Sequence, residues 1–255
     1  MATPKSKPVS TLSSEFKKAS DTLTRGVAFI IYGDPGSGKT TMATTLPQEE
    51  TLIISSEAGE GPLLGTECVV FQLSRDKRLS DLQGLYKFLR TEEHPFKYVV
   101  LDNISEMESW MLHDVVTSRD KQVPNISEYK DSGYKMDEYL HLFRDLIYKG
   151  ITVVFTAWEI PLEYKNSDGV IESKTFPKLA GKLARSVSGL VDVVGHLTVH
   201  EKSQKRWLKV APTDQWIAKS QLKGIGDDDG WEEADFGIIM KKLYAFNYKK
   251  KKKEE

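Results

Sequence analysis

One run of eight residues constrains this chain more than any other: Gly33-Asp34-Pro35-Gly36-Ser37-Gly38-Lys39-Thr40, with the spacing G-x-x-x-x-G-K-T. The apolar, β-rich run Val27–Tyr32 leads into it, and a segment able to begin a helix, 39–46, follows. Strand, glycine-rich turn and helix in that order make a phosphate-binding loop. The glycines let the backbone curl until successive N–H groups face inward, a concavity suited to anions. The positive end of the following helix adds to it. On this reading Gly33, Asp34, Pro35, Gly36, Ser37, Gly38, Lys39, Thr40 and Thr41 surround a nucleotide's phosphates. Lys39 reaches the β- and γ-phosphates, and the Thr40 hydroxyl binds Mg²⁺. Asp34 and Pro35 shape the turn.

The remaining pattern is that of an α/β domain. Further strand-like runs recur at Thr51–Ser55, Cys68–Leu73, Tyr98–Leu101 and Ile151–Thr156, with helix candidates at 79–90, 104–118 and 133–149 between them. Met136, Tyr139, Leu140, Phe143 and Leu146 recur at helical spacing, the mark of a core-facing stripe. Continuous apolar strands alternating with helices predict a mostly parallel sheet flanked by helices. After residue 190, "VDVVGHLTVH" and "RWLKVAP" flank the polar turn Glu201–Lys205 and predict an antiparallel hairpin on the sheet edge. The expected organisation is a polar arm over 1–25, an α/β core over 26–224, and an acidic segment, short helix and Lys-rich tail over 225–255.

Charge and composition exclude several classes. The 255 residues carry a net charge of −1, so bulk electrostatics do not mark a nucleic-acid binder. The distribution is uneven: residues 1–25 hold five Lys/Arg against two acids, and "SKTFPKLAGKLAR" holds four basic residues and no acid. No apolar run approaches the ~20 residues of a membrane span. The first twenty residues lack the hydrophobic centre of a signal peptide. A single cysteine, Cys68, allows neither an internal disulfide nor a cysteine cage for zinc. A cytoplasmic protein is expected.

Hydrolysis needs a second acid and a base. Asp102 closes the hydrophobic strand in "FKYVVLDNIS", the Walker B arrangement, and is expected to hold Mg²⁺ through a water. In many helical-lid ATPases a glutamate follows that aspartate directly; here the position is Asn103. Two other glutamates compete for the role of base. Glu57 lies just past the strand in "TLIISSEAGEG", at the edge where open α/β sheets bind ligands; a carboxylate there can deprotonate the attacking water. Glu106 lies one helical turn past Asp102. Glu57 is the preferred base. Thr156, Trp158 and Glu159 end the strand "ITVVFTAWE", and Thr156 is the candidate sensor of the γ-phosphate.

Together, "YGDPGSGKTT", "IISSEAG", "VVLDNISEM", "VVFTAWE", "FPKLAGKLARSVSGLVDVVGHL" and "WIAKSQLKGI" resemble the RecA/RadA-like ATPase core over about residues 26 to 224. The nearest resemblance is to the phage AAA ATPase group that includes RecA-like single-strand annealing proteins. That resemblance implies a RecA-like fold, ATP with Mg²⁺, a homo-oligomer, and action on single-stranded DNA in recombination or annealing. A single-strand DNA-binding protein is a further implied partner, and the cytoplasm of a bacterial host the implied setting. It also implies a late lysine reaching the neighbouring subunit's γ-phosphate. Lys219 matches it, while Gln221 stands where an arginine is usual, with Lys223 beyond. The expected DNA-facing loop is 160–182, with Tyr164, Lys165, Lys174, Phe176, Lys178 and Lys182 pairing cations with aromatics. "FKKA", residues 16–19, resembles an F-x-x-A element that docks onto a neighbour. Two alternatives are a nucleotide or small-molecule kinase, for which no arginine-rich lid is found, and a nucleotide-gated loader of a replication complex with little turnover.

Overall fold

Uninterrupted apolar runs build the centre of the molecule: β1 (Ala28–Tyr32), β2 (Thr51–Ser55), β4 (Tyr98–Asp102) and β5 (Thr152–Ala157) are buried almost throughout. The computed structural model describes residues 25–57, 61–73, 77–165, 168–201, 203–226 and 228–254; the 16–19 element lies outside them. With β3 (Val69–Gln72) and β8 (Val193–Val199), these strands form a parallel sheet in the order β3-β2-β4-β5-β1-β8. Beyond β8, β9 (Arg206–Lys209) and β10 (Lys219–Ser220) run antiparallel to it, and β11 (Trp231–Glu233) pairs with β9.

Alternation along β1 divides the core. Ala28, Ile30 and Tyr32 face one cluster, against α2 (Arg78–Thr91), α3 (Ile104–Thr117), α4 (Ile126–Arg144) and α5 (Leu183–Leu190). Phe29 and Ile31 face the other, against α1 (Lys39–Ala43) and α6 (Phe236–Glu254). The sheet is therefore covered on both sides, as its doubly apolar strands require. At the start of β1, Arg25 grips Asp192 with two bonds of 2.7 and 2.9 Å, and Asp192 also accepts the Ala28 N–H. This ties β1 to the chain entering β8.

The tetrapeptide Asn-Ile-Ser-Glu begins two helices, at Asn103 and at Asn125. At Asn125 it closes a full capping box, with Glu128 returning to the Asn125 N–H at 2.9 Å. That cap starts α4 at residue 126, earlier than the 133 expected from the apolar stripe, and a 3₁₀ turn over Asp145–Lys149 ends the segment. The stripe itself, Met136 to Leu146, is buried as expected.

Three other segments differ from expectation. Residues 160–182 are not one loop: β6 (Glu159–Lys165) and β7 (Ile171–Pro177) pair antiparallel in a separate ribbon. Asp168-Gly169, with Gly169 at φ 78°, is the turn signal that marks it. α1 stops at Ala43 rather than 46, because the Thr44 and Thr45 hydroxyls bond back to Thr41 and Met42 carbonyls and Pro47 follows. α6 runs through the lysine run to Glu254, where a short helix and a tail were expected; no glycine or proline follows Gly237 to stop it.

The base of the ribbon is tied to α3. The Trp158 N–H donates to Ser105 Oγ at 3.1 Å, and the Ala180 N–H donates to Glu108 Oε2 at 2.8 Å. Glu108 is buried, its Oε1 has no hydrogen-bond partner, and burial pushes its carboxyl from the ordinary 4.5 up to about 7. A carboxyl raised by folding binds more protons folded than unfolded between those two values. Stability therefore falls as pH rises from about 4.5 to about 7, by on the order of 3 kcal/mol. Glu108→Gln keeps an acceptor for Ala180 without the charge. Chemical denaturation should find the variant more stable than wild type at pH 8, with the difference gone near pH 4.5; an equal gap at both pH values would contradict this.

Candidate functional site

The phosphate loop leaves β1 at Gly33, where neighbouring β8 leaves no space for a side chain: a Cβ would stand 2.4 Å from the Leu197 carbonyl oxygen. Gly38 caps α1 in the left-handed region at φ 97°. Lys39 is only 7% exposed, and its ammonium donates to the Gly33 and Asp34 carbonyls at 2.9 and 2.8 Å. Burial lowers its pKa, opposed by Asp102, Glu57, Glu159 and Asp34. The side chains of Asp34 and Pro35 are exposed; Asp34's part is its carbonyl, which also accepts from Ser37 N–H at 3.1 Å. Thr41 is exposed on α1, and its carbonyl accepts from Thr44. Since α1 spans five residues, its dipole adds little and the loop amides carry the attraction for anions.

Sheet order brings Asp102 to this loop. β5 lies between β1 and β4, so the ends of all three strands converge at one edge. The Thr40 hydroxyl donates to Asp102 Oδ2 at 2.6 Å, and the Thr156 hydroxyl donates to Asp102 Oδ1 at 2.5 Å. Thr156, expected as the sensor, is thus bonded to the acid itself. A threonine hydroxyl and a carboxylate are hard oxygen donors that fit Mg²⁺. Among the described residues no group of three His, Cys, Asp or Glu forms a metal cage. Thr40 and Asp102 would offer Mg²⁺ two protein oxygens, the rest of its shell being left to substrate phosphates and water.

Glu57 lies beside Asp102. Its carboxylate accepts from the Asn103 side-chain amide, while Asn103 Oδ1 accepts from Glu106 N–H at 2.8 Å and so caps α3. Burial, with Asp102 and Glu106 nearby, raises the Glu57 pKa. The rival Glu106 turns to its own helix, where Oε1 accepts from Trp110 Nε1 at 2.7 Å. Asn103 was seen in the sequence only as a missing glutamate; the N-x-x-E cap signature starting there marks its structural part.

Two further groups border the loop. Arg206 Nε on β9 donates to the Ser37 carbonyl at 3.2 Å. His196 stacks on Trp216, with centroids 4.6 Å apart, and bonds Glu159 at 2.7 Å. Neither pairing has a local sequence signal, because each depends on strand order.

Lys219 does not join this cluster. It pairs with Val194 on β8, where burial lowers its pKa and Asp192, at the far end of the sheet, is the charge it senses. Phe176 is 7% exposed and packs in the core, so it offers no face for stacking on a base, contrary to expectation. Lys178 lies over the Trp158 ring at 4.9 Å, and Lys178, Lys182 and Arg185 are exposed.

Because Lys39 Nζ bonds only loop atoms, Lys39→Ala should leave the thermal midpoint nearly unchanged. ATP affinity by calorimetric titration should fall roughly 10- to 100-fold, the worth of a charge-assisted contact. Unaltered affinity would contradict the assignment of Lys39.

No curated protein matches the chain. A family model described as the AAA domain matches residues 25–222, from just before β1 to just beyond β10, and so takes in the loop, Glu57, Asp102, Thr156 and Lys219. The chain belongs to the AAA domain family, with the α/β architecture of a P-loop ATPase.

Proposed function

We propose that this chain binds and hydrolyses ATP with Mg²⁺, using Glu57 as general base, and that it works as a RecA-like oligomer on single-stranded DNA. The observation that carries the catalytic part is the convergence of Thr40, Asp102, Thr156 and Glu57 on one strand edge beside Lys39. The placement of β5 between the loop strand and the Asp102 strand supports the RecA-like reading.

In this mechanism Lys39 exchanges the Gly33 and Asp34 carbonyls for phosphate oxygens, and the loop N–H groups hold the rest of the phosphate chain. Mg²⁺ held by Thr40 and Asp102 would neutralise charge on the β- and γ-phosphates. Asn103 aims Glu57, which takes the proton of the water attacking the γ-phosphate. Thr156, on the other oxygen of Asp102, keeps the carboxylate in place and adjoins Trp158, the ribbon's anchor on α3. Loss of the γ-phosphate therefore has a short route to the ribbon. Lys219 serves the active site of a neighbouring subunit in this proposal, since it stands apart from the site of its own chain.

For DNA, the exposed Lys178, Lys182 and Arg185 after β7 are better placed than the ribbon. The ribbon holds Glu159, Glu163, Asp168 and Glu172 against Lys165 and Lys174. That acidic excess favours a second reading, in which the ribbon of a nucleotide-gated loader meets a protein partner.

Glu57→Gln should retain Mg·ATP binding and lose ~10²–10⁴ in turnover, with Glu106→Gln close to wild type. The opposite pattern would transfer the role to Glu106. Because a base must be ionised and burial raises Glu57, wild-type turnover should fall as pH drops through a value higher than that of an ordinary glutamate. In anisotropy of a labelled oligonucleotide across a salt series, replacing Lys178, Lys182 and Arg185 by alanine should flatten the log–log slope by about 2, at ~0.7 per phosphate contact. Absence of single-strand binding in every nucleotide state would leave the loader reading.

A further inference from the structure

Among the charged contacts at the site without a role is the guanidinium of Arg206. It comes from β9, a strand 169 residues further along the chain, and reaches the loop at its most constrained point. Its Nε donates to the Ser37 carbonyl at 3.2 Å. A Cβ on Gly38 would stand 2.2 Å from that same Nε and 2.6 Å from Cδ. Gly38 is needed for φ 97°, and its missing side chain leaves the room in which Arg206 lies against the loop.

We infer that Arg206 is a positioning residue of the phosphate loop, fixing the Ser37–Gly38 peptide so that its N–H faces the bound phosphates. The inference rests on the ATP-binding reading above. In a planar trans peptide the C=O and N–H point in opposite directions. A cation that holds the Ser37 oxygen on the outside of the loop therefore turns the Gly38 N–H toward the inside, where the anion lies. Polarisation of the carbonyl by the guanidinium also strengthens that N–H as a donor. A free glycine-rich loop would have to order this peptide on binding; with Arg206 in place the ordering precedes the ligand. Arg206 also stands at the end of the turn from β8 to β9, paired with Val199, so anything that moves this turn alters the loop.

The prediction differs from that for a residue touching the γ-phosphate. Loop amides contact phosphates that ADP and ATP share, so loss of the buttress weakens both equally. Fluorescent ADP and a slowly hydrolysed ATP analogue are titrated into the full chain, as wild type, Arg206→Ala and Arg206→Lys. The expected result is an affinity loss of about tenfold for both nucleotides in Arg206→Ala, with an unchanged thermal midpoint because the side chain is exposed. Arg206→Lys should not recover it, since an ammonium lacks the Nε donor at that reach, whereas added methylguanidine should restore part of the affinity of Arg206→Ala. Unchanged affinity, a loss confined to the ATP analogue, full recovery by lysine, or a fall in thermal midpoint that accounts for the loss would each overturn the inference. Wild type that binds neither nucleotide would instead overturn the ATP-binding reading itself.

Discussion

The carboxylate of Asp102 is the point on which the site depends. Each of its oxygens takes a threonine hydroxyl, Thr40 from the phosphate loop and Thr156 from β5, so one side chain connects the ends of three strands. That arrangement needs β5 between β1 and β4, which in turn needs parallel strands apolar on both faces and helices covering both. Apolar burial makes the platform, and charge-assisted hydrogen bonds use it. With the sheet fixed, the phosphate loop, Asp102, Thr156 and Glu57 lie at one edge.

The same edge is connected outward. Asn103 bonds Glu57 with its amide and starts α3 with its side-chain carbonyl, so the helix and the proposed base share one residue. α3 then holds the ribbon through Ser105 and Glu108. The proposed γ-phosphate end is thus joined to a helix and a two-stranded arm by contacts of 2.8 to 3.1 Å. Glu108 lies in the middle of this path as a buried carboxyl with one oxygen unpartnered, a place where stability has been given up.

What could be read from the sequence was local. The loop is legible because its chemistry lies in eight consecutive residues, and Asp102 because the end of an apolar strand announces it. Met136, Tyr139, Leu140 and Phe143 were legible through their period. Contacts set by strand order were not: Arg206 meets Ser37 across 169 residues, and His196 meets Glu159 across 37. Composition also misled where it could not tell inside from outside. Phe176 stands among lysines in the sequence, yet its ring lies in the core, and the ribbon around it carries more acid than base. The repeated Asn-Ile-Ser-Glu shows why tertiary context is needed: one copy closes a capping box, while in the other the asparagine amide goes to Glu57 and the glutamate to Trp110.

The most direct test of Asp102 as the metal-side partner of Thr40 is a magnesium titration of ATP affinity, in wild type and in Asp102→Asn. Without Mg²⁺ the two should bind ATP with similar strength, because the phosphate loop is the same in both. Added Mg²⁺ should tighten binding in wild type and leave the variant unmoved, the amide having no charge to offer the ion. If Asp102→Asn gains as much from Mg²⁺ as wild type does, the metal is held elsewhere and the account of the site is wrong.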